Sequence, residues 1–287
     1  MGNILEVTGL NKSYKNFSLN DVSFALPQDC ITGFIGINGA GKTTTIRSIL
    51  GLTQRESGKI SIFGKDMDKN EKEIKNRIGI VFDEGCFYDE LTMGEMKSII
   101  APAYRRWSNE DYLRYMDKFS LDSTQVISTL SKGMRMKFAL TLALSHNADL
   151  LIMDEPTSGL DPLIRSEFLE MISEYMKQGG KGVFFSTHNT SDLDKVADVI
   201  ILIHDGRIIF EQEKDYLFGN YRVVNGDIDT LNSENRQLFL NIQSKKSRFS
   251  GMTDDISKVQ EAMPDAVIEQ PTIEEIMLAH IQGVQKC

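Results

Sequence analysis

Apolar side chains fall in short runs along this chain, and the period of the runs changes three times. Ile4–Leu10 and Phe17–Leu26 alternate apolar and polar positions, which predicts two strands of an antiparallel sheet. Ile31–Ile35, Leu150–Met153 and Val183–Phe185 are continuous apolar runs of strand length, the pattern of a parallel sheet buried on both faces. Gly58–Phe63 and Ile78–Phe82 read as further strands, and Lys42–Leu50 as a helix. From Leu91 to about His146 the period is helical, with Met96, Ile99, Ile100 and Tyr104 at helix spacing. Val199–Phe210 returns to strand character and is broken by Asp205-Gly206, a strong hairpin signal. The pattern predicts an α/β core with a parallel sheet, a helical insert before Leu150 and a closing hairpin.

Beyond Glu211 the chain is more polar and its amphipathic pieces are shorter. Residues 211–287 carry 8 basic and 13 acidic side chains, a net of −5. Thr272 and Glu275 have the spacing of a capping box, so a helix is expected to start there. Ile273, Ile276, Met277, His280 and Ile281 would share one face of it. Such a stripe most often packs on its own domain; a dimer contact is the lesser alternative.

Composition narrows the class. At 287 residues, with 41% apolar and 25% charged side chains, the chain is an ordinary globular protein of about two domains. No apolar run reaches the ~18–20 residues that span a bilayer. The first residues lack a basic region followed by an apolar stretch, so no signal peptide is expected. Net charge is −9, which disfavours electrostatic binding to nucleic acid. Three scattered cysteines build neither a disulfide framework nor a zinc site and suit a reducing compartment.

Chemistry enters at Gly36-Ile-Asn38-Gly39-Ala40-Gly41-Lys42-Thr43, a P-loop pattern between a predicted strand and a predicted helix. Glycines let backbone N–H groups turn inward around phosphate oxygens, and the helix adds its positive end. Lys42 would bridge the β- and γ-phosphates and the Thr43 hydroxyl would ligate Mg²⁺, with Thr44 beside it in the nucleotide site. The run Leu150–Met153 ends in Asp154-Glu155. A strand fixes Asp154 at the sheet's carboxyl edge as a metal ligand, and Glu155 can polarise an attacking water.

Taken in order, these motifs and those that follow resemble the ATPase subunit of an ATP-binding-cassette transporter, over roughly residues 1–215. Leu130-Ser131-Lys132-Gly133-Met134 resembles the family signature, Ser158-Gly-Leu-Asp161 its D-loop, and His188 its switch histidine. Tyr14 stands where the family stacks an aromatic ring on adenine. The resemblance implies a P-loop NTPase fold: a RecA-like parallel core, an antiparallel β subdomain and an α-helical subdomain at about 85–146. Residues 216–287 would form a small α+β C-terminal accessory or dimerisation domain after the 1–215 cassette. It also implies a head-to-tail dimer, in which Ser131, Gly133 and Asp161 reach the nucleotide of the opposite protomer. His188 would bond the γ-phosphate and hold water near Glu155.

Two departures stand out. The family's usual glutamine is replaced by Asp83, which leaves three readings open: a water-mediated metal ligand, a carboxylate that repels the γ-phosphate, or a plain loop residue. In the signature, Lys132 and Met134 replace the usual residues while Ser131 and Gly133 remain. Phe87, Tyr88, Met93 and Met96 lie where the family receives a helix of the membrane subunit, and they suit either that socket or the core of the helical subdomain. The tail resembles that of antibiotic and peptide exporters. The implied function is an ATP- and Mg²⁺-dependent motor of an exporter for a drug or amphipathic peptide. It would work as a homodimer or heterodimer with a separately encoded transmembrane permease. It would be cytoplasmic, peripheral at the inner face of the cell membrane, without inserting and without nucleic acid. The alternatives are a soluble cassette ATPase acting on ribosomes or DNA, and a non-hydrolysing nucleotide sensor.

Overall fold

A computed structural model describes residues 2–82 and 87–284. The described residues form three sheets. The first is antiparallel, with β1 (Asn3–Tyr14), β2 (Phe17–Pro27), β4 (Ser57–Ile62) and β5 (Lys65–Asp66) in the order β2-β1-β4-β5. The central sheet holds β3 (Ile31–Ile35), β6 (Ile78–Phe82), β7 (Leu150–Asp154), β8 (Gly182–Thr187), β9 (Val199–His204) and β10 (Arg207–Glu213). Its order is β10-β9-β3-β8-β7-β6, and every pairing is parallel except the β9–β10 hairpin. The third sheet, β12-β13-β11-β14, is antiparallel and comes from the tail: β11 (Arg222–Asp227), β12 (Asn241–Lys245), β13 (Arg248–Thr253) and β14 (Val267–Glu269).

The continuous apolar runs are explained by burial of the central sheet on both faces. Side chains of a strand alternate between faces. Phe34, Ile152, Phe184 and Ile201 point into a core shared with the first sheet and with helix α1 (Lys42–Ile49). Their neighbours Ile35, Met153, Phe185 and Leu202 point into a second core under the helices. In the first core the Phe24, Phe34 and Phe184 rings lie with centroids 5.1–5.7 Å apart.

The helical stretch resolves into α3 (Met93–Ile100), α4 (Asn109–Lys118) and α5 (Lys132–Ser145), after a short helix α2 (Met67–Lys75) that apolar periodicity does not announce. Asp66 caps α2 by accepting from the Asp68 and Lys69 amides. The α6 (Pro162–Met176), α7 (Leu193–Val196), α8 (Lys214–Asn220), α9 (Ile256–Ala262) and α10 (Ile273–Val284) helices follow. β1 continues past Leu10 through polar Asn11–Tyr14, because β2 pairs with it to Tyr14↔Phe17 and Glu56 accepts from the Ser13 amide.

The capping box at the head of α10 is formed in both directions: Thr272 N donates to Glu275 and Glu275 N to Thr272 Oγ1. Its apolar stripe packs within this chain, where Ile273, Ile276, Met277 and Ile281 join the second core. His280 lies between the rings of Phe210 and Tyr221. No helix among the described residues is long and apolar enough to cross a membrane.

Candidate functional site

Three neighbouring parallel strands, β3, β8 and β7, end at one edge of the central sheet, the place where open α/β sheets bind ligands. The P-loop leaves β3 there. Gly36 is fixed by close approach, since a Cβ would lie 2.4 Å from the Ile203 carbonyl oxygen. Gly41 caps α1 at φ 115, a conformation that L side chains avoid. Lys42 is buried and curls back over the loop, donating from Nζ to the Gly36 carbonyl at 2.7 Å. The Thr43 and Thr44 hydroxyls have no hydrogen-bond partner among the described residues, and Asn38 and Gly39 face solvent.

Asp154 ends β7 and is 6% exposed. Ser186, opposite it on β8, donates from Oγ to Asp154 Oδ1 at 2.6 Å. The same hydroxyl accepts from the Glu155 amide at 3.1 Å. Glu155 sits at φ 52, in the left-handed region. Its carboxylate lies between two partners. Lys42 Nζ is 3.2 Å from Oε1 and His188 Nδ1 is 2.6 Å from Oε2, with the His188 amide donating to Oε2 as well. With Nδ1 turned to Glu155, Nε2 is the ring nitrogen left to face a ligand.

Lys42, the Asp154-Glu155 pair and His188, which lie on three separate stretches of the chain, therefore share one network of hydrogen bonds and ion pairs. Ser186 is the member that sequence reading missed. The available signal was a hydroxyl at the end of the apolar run Val183–Phe185.

Ser131, Gly133 and Asp161 are not joined to this network by any hydrogen bond or ion pair of the described residues. Ser131 caps α5, accepting from the Met134 amide, and Asp161 caps α6, accepting from Leu163 and Ile164. Gly133 has a packing reason for its identity, since a Cβ there would lie 2.4 Å from Ile164 Cδ1. Tyr14 is half exposed at the end of β1, with Lys12 Nζ 5.3 Å from its ring centroid. Asp83 lies outside the described residues.

The four residues of the socket region separate. Met93 and Met96 are core of the helical layer. Phe87 packs against Phe138 with tilted rings, centroids 5.2 Å apart, and lines a cleft of about 300 Å³ with Leu52, Phe82, Ile100 and Tyr104. Tyr88 is exposed.

The donor set fits a polyphosphate with a hard cation. The loop supplies N–H groups, a buried ammonium and two unengaged hydroxyls. Among the described residues no cluster of three or more His, Cys, Asp or Glu would hold a metal by itself. Thr43 and Asp154 match a cation that takes most of its oxygens from phosphate and water, as Mg²⁺ does.

The comparisons agree with this fold. The family model described as ABC transporter matches residues 19–158. The chain is 35% identical over 221 residues to the bacitracin transport ATP-binding protein BcrA of Bacillus licheniformis, covering 76% of this chain and 72% of that one. It is 33% identical over 211 residues to the ABC transporter ATP-binding protein NatA of Bacillus subtilis (strain 168), covering 71% and 85%. A solved structure of an ATP binding subunit of an ABC transporter superposes with a TM-score of 0.68 at 31% identity, covering 75% of this chain and 91% of that one.

Proposed function

Because this chain belongs to the ABC transporter family as one of its ATP-binding, ATP-hydrolysing subunits, we propose that it is the motor of an exporter for an antibiotic or amphipathic peptide. The observation that carries the site assignment is the Lys42–Glu155–His188 network beside Asp154, at the carboxyl edge of β3, β8 and β7. The bacitracin transport proteins among its relatives support the exporter reading. Similarity to relatives named as ATP-binding proteins of transporters supports a separate transmembrane permease and a peripheral place at the inner membrane face.

The geometry supports the following roles. Backbone N–H groups of Gly39–Thr44 and the Lys42 ammonium hold the phosphates, and Tyr14 offers an aromatic face to the base. Thr43 and Asp154 would hold Mg²⁺, which supplies positive charge to the transferring phosphoryl group. Glu155, fixed by the Ser186 contacts, takes the proton of the attacking water, and His188 keeps that carboxylate in place. Ser131, Gly133 and Asp161 lie outside the network of their own chain. That supports a second protomer, whose signature and D-loop complete the site, in a homodimer or heterodimer. The cleft beside Phe87 is the place for a helix of the permease. Residues 1–215 form the cassette and 216–287 an accessory domain.

Substituting Glu155→Gln tests the assignment. Turnover should fall by roughly 10²–10⁴-fold, the usual weight of a general base, while ATP binding persists and a closed dimer accumulates. Near-normal phosphate release by this variant would end the general-base reading.

A further inference from the structure

Asp192 is 1% exposed and stands four residues after His188, in the 3-10 turn that leads into α7. Burying a carboxylate is unfavourable unless its oxygens are engaged. Here both are. Thr157 Oγ1 donates to Oδ2 at 2.7 Å. Arg165 Nε lies 2.6 Å from Oδ1, an ionic contact whose N–H is not aimed along a hydrogen-bonding direction. Thr157 is itself buried and follows Glu155 by two residues; Arg165 lies in the first turn of α6, just beyond its cap Asp161. One carboxylate therefore touches the loop that carries Glu155, the helix that follows it, and the segment that carries His188.

We propose that Asp192 is a positioning residue for hydrolysis: it locks the loop after β7 to the loop after β8, so that Glu155 and His188 stay within hydrogen-bond reach during turnover. The proposal rests on the roles assigned above to those two residues. The backbone of Glu155 supplies the reason. A non-glycine residue in the left-handed region persists only where its surroundings over-determine it. Upstream, its amide is held by Ser186. Downstream, the bonds Ser158 N to Glu155 O and Leu160 N to Thr157 O shape the loop without tying it to β8. The hydrogen bond that ties the loop itself to the β8 side is Thr157 to Asp192, with the Arg165–Asp192 ion pair holding the helix that follows. Without it, the loop can relax around Glu155 and carry the carboxylate away from the imidazole 2.6 Å off.

Thr157→Val, Thr157→Ser and Asp192→Asn in the full chain test this. Steady-state ATPase gives kcat and KM, the fluorescence of a labelled ATP analogue gives the nucleotide Kd, and thermal unfolding gives Tm. Thr157→Val, which keeps shape and loses the hydroxyl, should lower kcat by about 10-fold or more, with Kd within about 2-fold. Thr157→Ser should restore kcat. Thr157→Val combined with Asp192→Asn should cost no more than the worse single change, because one interaction is lost in both. If Asp192→Asn does not fold, the Thr157 pair decides alone.

Normal kcat in Thr157→Val, alongside an inactive Glu155→Gln, overturns this proposal and leaves the general-base assignment standing. A kcat that falls only in proportion to nucleotide binding or Tm, or a serine variant that does not restore it, also overturns it. Near-normal turnover in Glu155→Gln removes the assignment and the proposal together.

Discussion

Ser186 ties Asp154, the proposed metal ligand, and Glu155, the proposed general base, to one side chain, so Ser186→Ala probes both. The hydroxyl is fully buried, donates to Asp154 Oδ1 at 2.6 Å and accepts from Glu155 N at 3.1 Å. Alanine fits the space and removes both contacts. The Glu155 amide keeps its second acceptor, the Ser186 carbonyl at 3.1 Å, so the loss falls mainly on Asp154. A hydrogen bond to a charged group contributes about 1.5–3 kcal/mol, and here its removal leaves a carboxylate that is only 6% exposed without that donor. For a chain of this size about 2 kcal/mol corresponds to a fall in Tm of roughly 4–8 °C. Asp154 also loses the contact that orients it. The Mg²⁺ concentration needed for half-maximal ATPase should therefore rise, with kcat at saturating Mg²⁺ less affected. The assays are thermal unfolding and an ATPase titration with Mg²⁺ at fixed ATP. A Tm within 1 °C of the parent, together with an unchanged Mg²⁺ curve, would refute the reasoning about this hydroxyl.

Two further predictions concern the scaffold. Gly206, at φ 70 in the β9–β10 hairpin, accepts from Asn20 N and donates to Ala40 O, and a Cβ there would lie 1.8 Å from the Ser18 carbonyl oxygen. Gly206→Ala should cost more than about 3 kcal/mol, seen as a lower urea midpoint at constant slope; an unchanged midpoint would count against the clash. At the tail, burial between Phe210 and Tyr221 pushes His280 below the ordinary imidazole value, with Asp254 opposing. The unfolded chain then binds the proton more readily than the folded one. The stability that His280 contributes is complete above about pH 6.5 and is lost as pH falls through the folded value. His280→Phe should flatten the fall of Tm between pH 7 and 5 relative to the parent; an equal slope in both would show that the imidazole is not the group titrating.

The site was legible in the sequence to a degree set by how local each requirement is. Gly36–Thr43 carries its own signal, because a phosphate cradle needs glycines and a lysine at fixed spacing on one stretch of backbone. Asp154-Glu155 was legible because an apolar run that ends in carboxylates is a local pattern. Ser186, Thr157, Arg165 and Asp192 were not. A serine, a threonine or a lone ion-pair member carries no pattern until its partner is known, and their partners lie 27 to 35 residues away. Methionines 93 and 96 show the converse: their type suited a docking socket or a core, and packing put both in the core.

The sequence by itself determined the class of fold, the order of its elements and the stretch of chain proposed to bind phosphate. Those depend on period and spacing within a few residues. The tertiary structure decided which polar side chains meet. It placed Glu155 between Lys42 and His188, because β7, β3 and β8 end at one edge only after the sheet order is fixed. It also left Ser131 and Asp161 as caps outside the network of their own chain, a separation that no spacing along the sequence encodes.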